Sequence, residues 1–199
     1  MAEINGLKLQ KLDRAFYERE TLDVSKDLLG KYLVHNVSGK LLVSKIIETE
    51  AYKENDKAAH FYNGRRTERT EVIFNKGGVA YVYLIYGMYN CFNVVTEVKD
   101  VPGAVLVRKL QPIYEIEEMM KNRKISDSKK AKHLCDGPGK LCMAMAINRK
   151  HNGVDLTGEE LFIAQDINSN EKIQMKSGKR INIDYAGEDM HLLWRFYIM

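Results

Sequence analysis

The sequence predicts a mixed α+β fold built round a largely antiparallel sheet, and three observations predict it. Runs rich in valine, tyrosine and leucine lie at 79–86, 91–98 and 103–110, punctuated only by Gly87 and by Pro102-Gly103. Helical periodicity is confined to a few short segments, without the regular βαβ alternation that a parallel sheet needs. A chain of 199 residues, 45% hydrophobic and 29% charged, is long enough to bury one sizeable core. One domain over residues 1–199 is the expectation.

Taken in order, residues 12–30 read as helical. Thr21 or Asp23 can cap the second part, Val24, Leu28 and Leu29 form an apolar stripe, and Gly30 ends it. Two short strands, 31–37 and 41–47, flank the turn signal Ser38-Gly39. Residues 53–69 are polar and without sustained period, a long loop of the kind that often carries function. After the central strands, Pro112 suits the first position of a helix bearing Ile113, Ile116, Met119 and Met120. Gly137-Pro138 opens a second short helix with Leu141 and Met145. Short strands are expected again at 161–165, 173–175, 180–185 and 195–199.

Composition excludes several classes. With 14 glycines and 3 prolines the chain is neither collagenous nor a proline-rich linker. Three cysteines make no disulfide framework, which points to a reducing compartment. No apolar run approaches the ~20 residues of a membrane span, and the start shows no basic segment followed by an apolar one. A cytoplasmic protein without a membrane partner is expected. The net charge of +4 is uneven: residues 121–150 hold nine Lys/Arg against Asp127 and Asp136, which leaves −3 for the rest. Such asymmetry suits a polyanion, because lysine and arginine displace counterions from phosphates; a solvated basic loop is the plain alternative.

Three features could carry chemistry. In Glu48-Thr49-Glu50-Ala51-Tyr52 a period of two puts both carboxylates and the phenol on one strand face. They are either the wet face of an edge strand or a general base beside an aromatic wall. Four of eleven tyrosines fall within 81–89. They form a cross-strand ladder, or they stack on bases and wedge into a duplex. Arg108 is the polar intruder in Val105-Leu106-Val107-Arg108 and needs a carboxylate or phosphate partner. His60, alone in the polar loop, reads as a surface or satisfied core residue. No HExxH, CxxC pair, P-loop or GxSxG occurs, so neither a metal nor an organic cofactor is expected.

The segments Glu48–Tyr52, Ala58-Ala59-His60, Tyr81–Asn93, Val105–Arg108 and Gly137–Cys142 occur in the order found in the alkyladenine (3-methyladenine) DNA glycosylases, and the chain resembles that family from about Arg14 to Arg195-Phe196-Tyr197. The resemblance implies a single compact α+β domain round a curved antiparallel sheet. It also implies a monomeric repair enzyme acting on duplex DNA that contains alkylated or deaminated purines. By the same resemblance Glu50 is the general base and Arg108 helps hold its water. Tyr52, His60 and Tyr83 line the pocket for the flipped base, and Asn93 lies at its floor as a filter against guanine. Tyr86 is the wedge, Arg69 and Lys140 contact the DNA backbone, and the Gly-Pro helix start offers N–H groups to a phosphate. Glu48 takes a supporting role, and His60 is the candidate acid for neutral lesions. The sequence departs from the family in a 52–60 loop that is one residue shorter than in mammalian members and lacks their Gly-Pro. It also has Thr70 where asparagine is expected. Two other readings compete: a magnesium nuclease using Glu48, Glu50 and Asp56, and a non-catalytic module with stacking tyrosines.

Overall fold

The computed structural model describes residues 2–169 and 171–199. Its strands are β1 (Ala2–Ile4), β2 (Leu7–Lys11), β3 (Tyr32–Val37), β4 (Lys40–Lys53), β5 (Ala80–Ile85), β6 (Tyr89–Thr96), β7 (Gly103–Tyr114), β8 (Leu161–Asp166), β9 (Met175–Gly178) and β10 (Arg195–Ile198). They form one open sheet in the order β1-β2-β8-β3-β4-β7-β6-β5, with every pair antiparallel. The 14-residue β4 is its spine. One edge of β4 runs along β7; on the other, residues 40–45 pair with β3 and residues 48–50 with β10, which carries β9 outside it. Register shifts between β4 and β7 around Glu48 mark bulges, which bend a strand and sharpen its twist.

Four short helices, α1 (Arg14–Tyr17), α2 (Thr21–Asp27), α3 (Ile116–Asn122) and α4 (Pro138–Ala144), complete the main core. The period of two divides the central strands. Ala51, Val82, Phe92, Val94, Val105 and Val107 join Val24, Leu28, Met119 and Leu141 in one cluster. Tyr81, Val95 and Ala104 turn to the other side and meet Phe61, Val72, Ile73 and Phe74. Gly103 permits the close seat of α2: a Cβ there would collide with the hydroxyls of Thr21 and Thr96. Among the described residues no helix is long and apolar enough to cross a membrane.

Several local expectations are corrected. Residues 12–30 hold two helices, as the separate cap implied, but Glu20 rather than Thr21 or Asp23 caps the second, accepting from the Leu22 N–H at 2.7 Å. Thr21 instead turns its hydroxyl to Thr96 and Glu97. Pro112 lies inside β7 opposite Ser44, beside a register shift where the ladder tolerates a missing N–H, and helix α3 starts only at Ile116 after a left-handed Glu115. Residues 180–185 make no strand: Asn182 has φ 60°, and 3-10 turns begin at Asp184. β9 lies at Met175–Gly178, later than the expected 173–175. The 53–69 loop is compact, with Asp56, Ala58, Ala59 and Phe61 buried.

Candidate active site

Alternation along β4 sends Thr49 and Ala51 towards α2 and the main core, which leaves Glu50 and Tyr52 on the opposite face. There the sheet floors a cavity of about 740 Å3 whose lining includes Tyr52, His60, Tyr83, Asn93, Arg108 and Ile181, a size usual for ligand sites. The sheet and the loop after β4 thus bring together five residues expected from the sequence. Glu50 sits directly behind this wall, 0% exposed and absent from the lining.

Its carboxylate is held by three donors. Oε2 accepts from the Tyr52 hydroxyl at 2.8 Å and lies 3.3 Å from Arg108 Nη1, while Oε1 accepts the Ile181 N–H at 2.9 Å. A carboxylate has about four acceptor directions, so one remains open. Burial pushes the Glu50 carboxyl up from its usual range; Arg108, the Tyr52 hydrogen bond and the Ile181 N–H oppose that shift without cancelling it. Arg108 also reaches Glu48 Oε1 through Nε at 3.4 Å, and Glu48 accepts from Arg195 Nη1 at 3.0 Å. Arg108 therefore bridges both glutamates of the motif.

The aromatic wall is built by β5 and the loop after β4. His60 meets Tyr83 edge-on at 4.7 Å, and Tyr81 lies tilted against Tyr83 at 5.2 Å. His60 Nδ1 is 2.9 Å from the Tyr81 hydroxyl. Burial, aided by the nearby charge of Arg69, lowers the His60 pKa to about 4, so its ring is neutral at pH 7. That state runs against its expected use as an acid. Asn93 donates its amide N–H to the Tyr81 carbonyl at 3.1 Å, so its nitrogen is committed to the backbone and its oxygen is the atom free for a ligand.

Of the remaining predicted residues, Tyr86 and Lys140 line the cavity, while Arg69 is absent from its lining and lies beside Tyr83. Tyr86 is 73% exposed at the β5–β6 turn with φ 52°, followed by Gly87 at φ 69°. The left-handed conformation costs a residue with a Cβ about 1–2 kcal/mol, and the hairpin turn between β5 and β6 holds an exposed tyrosine in it. Arg69 is exposed, with its guanidinium 4.8 Å from the Tyr83 ring centre. Lys140 is exposed on α4 at the cavity rim.

Sequence reading missed Arg180. Its side chain is wholly buried, and its guanidinium forks onto Asp56, through both Nη1 and, at 2.8 Å, Nη2. It also donates to the Ala51 carbonyl at 3.0 Å and stacks between Tyr52 and Trp194, at 4.8 and 5.2 Å. This residue locks the Tyr52 ring and leads directly into Ile181, whose N–H reaches Glu50. Asp56 and Arg180 lie 124 positions apart, and no local pattern announces such a pair.

Comparison with known proteins gives the family. The family model described as methylpurine-DNA glycosylase matches residues 15–199. A protein of Alkaliphilus oremlandii assigned as a 3-methyladenine DNA glycosylase is 53% identical over 194 residues, covering 94% of this chain and 95% of its own. Proteins with the same assignment from Clostridium novyi and Bacillus cytotoxicus are 48% and 50% identical, covering 96% and 92% of this chain and 96% and 93% of their own. A family model that spans residues 15–199 and relatives about half identical over nearly all of the chain place it in the methylpurine-DNA glycosylase family.

Proposed function

We propose that the chain is a monofunctional DNA glycosylase that turns a damaged purine out of duplex DNA and hydrolyses its N-glycosidic bond with water activated by Glu50. The observation that carries this reading is the Glu50 carboxylate, buried, held by three donors and set behind a cavity walled by tyrosines. A base inside a duplex hides its glycosidic bond, so extrusion comes first. Alkylated purines such as 3-methyladenine and 7-methylguanine are cationic, and facing aromatic rings attract them by about 0.5–2 kcal/mol per contact. Tyr52, His60 and Tyr83 supply the rings, and the Asn93 oxygen limits which exocyclic groups fit.

A cationic base leaves readily, taking the electron pair of the C1′–N bond. A water oxygen then bonds to C1′, and its proton passes to Glu50, whose raised pKa makes it a better base than an ordinary carboxylate. The anion also stabilises the developing sugar cation. Arg108 holds Glu50 and the water. Lys140 is the one lysine lining the cavity among the described residues, and it lies at the rim; hydrolysis without a lyase step follows. The same chemistry reaches hypoxanthine only if its leaving base is protonated, a task His60 is poorly charged to perform.

The nuclease reading loses its basis, because Glu48, Glu50 and Asp56 are each paired with arginine rather than with one another. The test is release of 3-methyladenine or 7-methylguanine from alkylated duplex DNA in the presence of a chelator. Release is expected to persist; tight binding without turnover would leave only a binding module. Tyr86→Ala is expected to slow release from duplex more than from single strands, since only the duplex has a gap to fill. Equal losses on both would remove the wedge role. Asn93→Ser, run beside it, should raise release of undamaged guanine.

A further inference from the structure

Outside the cavity, three side chains from separate elements converge. His35 lies on β3, His151 in the 3-10 turn at Arg149–His151, and Glu160 immediately before β8. Their ligand-capable atoms all lie within 4.8 Å of one another, with both histidines buried and Glu160 exposed. None of the three lines the cavity.

The imidazoles are oriented from behind. His35 Nδ1 is 2.6 Å from the Met145 carbonyl, which can only accept, so that nitrogen carries the proton and Nε2 keeps its lone pair. His151 Nδ1 sits 3.0 Å from the Asn148 N–H and 3.1 Å from the Asn148 carbonyl, so the backbone accommodates either tautomer. His151 Nε2 faces Glu160 Oε1 at 3.7 Å. Metal-binding histidines usually donate their second N–H to a carbonyl in this way.

We propose that His35, His151 and Glu160 form a structural site for a divalent transition metal of the zinc type, with solvent as fourth ligand. Two imidazoles and a carboxylate suit zinc and disfavour magnesium. Tetrahedral ligands at ~2.0–2.1 Å from zinc stand ~3.4 Å apart, and the exposed Glu160 side chain can close the gap. The Asn36 N–H donates to the Glu160 carbonyl at 2.7 Å, which keeps Glu160 beside His35. The ion would staple the β3–β8 pair to residues 148–154. That segment caps β5 through Asn152 Oδ1 on the Val82 N–H and through Gly153 and Val154 on Ala80, and β5 bears the cavity tyrosines.

The full chain, stripped with chelator and titrated with zinc, is expected to bind one equivalent. At about a hundredfold excess over Kd its melting midpoint should rise by roughly 5 °C. Cobalt in its place should show tetrahedral d–d absorption without a thiolate charge-transfer band, which separates this site from the three buried cysteines. His35→Gln and His151→Gln should abolish binding. Glu160→Gln, exposed and therefore safe for folding, should weaken it at least about tenfold. Magnesium should not shift the melt. No zinc uptake by the wild type, or equal uptake by Glu160→Gln, overturns the site, and neither outcome bears on base release.

Discussion

Glu50→Gln is expected to lower base release from alkylated duplex DNA by about 10²–10⁴-fold, the usual worth of a positioned general base, while leaving the protein folded. The amide is nearly isosteric and keeps an oxygen for the Ile181 N–H, but it cannot take a proton from water. Its effect on stability has a sign set by burial. Because the folded state raises the Glu50 pKa, the native protein binds that proton more tightly than the unfolded chain. The contribution of this group therefore favours folding at low pH and turns against it as pH rises past the ordinary carboxylate range. Glutamine lacks that dependence. At neutral pH the variant should melt within a few degrees of wild type, and the difference should move in favour of the wild type on acidification. Activity moves oppositely: the ionised form works, so the acid limb of the rate profile should lie above the ordinary glutamate range near ~4.3. Undiminished release by Glu50→Gln would end the role proposed for this carboxylate.

Much of the fold was legible because its signals are local. Alternation in β5–β7 and the Gly137-Pro138 helix start survive any tertiary context, and the same alternation places Glu50 and Tyr52 on one face. Asn5-Gly6, with φ of 52° and 79°, is a strong hairpin signal that went unread because its flanking strands are short and charged. Pro112 misled because proline suits a helix start and a strand bulge equally; its pairing with β4, three strands earlier in the chain, decides between them. The burial of Glu50 was illegible altogether. Its motif puts Tyr52 beside it, but nothing there says that Arg108 and Ile181 will close round it, and the Ile181 contact spans 131 positions. His35, His151 and Glu160 are the same case: spacing rules find metal sites whose ligands share a loop, not those assembled by sheet pairing.

Asp56→Ala should be the most damaging single change to stability, at about 3–5 kcal/mol, because it strands a guanidinium where no water reaches it. Both side chains of the Asp56–Arg180 pair are wholly buried. Burial works against the Arg180 charge, but the hydrogen bonds and charge of Asp56 outweigh it and hold the arginine pKa above its ordinary value. Asp56 also accepts the Ala58 N–H at 3.0 Å, so its loss frees the loop that carries His60. Arg180→Met should cost less, since methionine fills the slot between Tyr52 and Trp194 and leaves a carboxylate that still has the Ala58 N–H. In the double variant Asp56→Ala/Arg180→Met the buried charges vanish together, and stability should recover beyond the sum of the single losses, a coupling read by denaturant melts of all four proteins. Recovered stability need not bring recovered activity: the Arg180 backbone leads into the Ile181 N–H that orients Glu50, and its guanidinium fixes the Tyr52 ring. A double variant that melts like the wild type yet releases base slowly would show that the pair positions the acid as well as holding the loop; additive losses in the cycle would show that the two residues act independently.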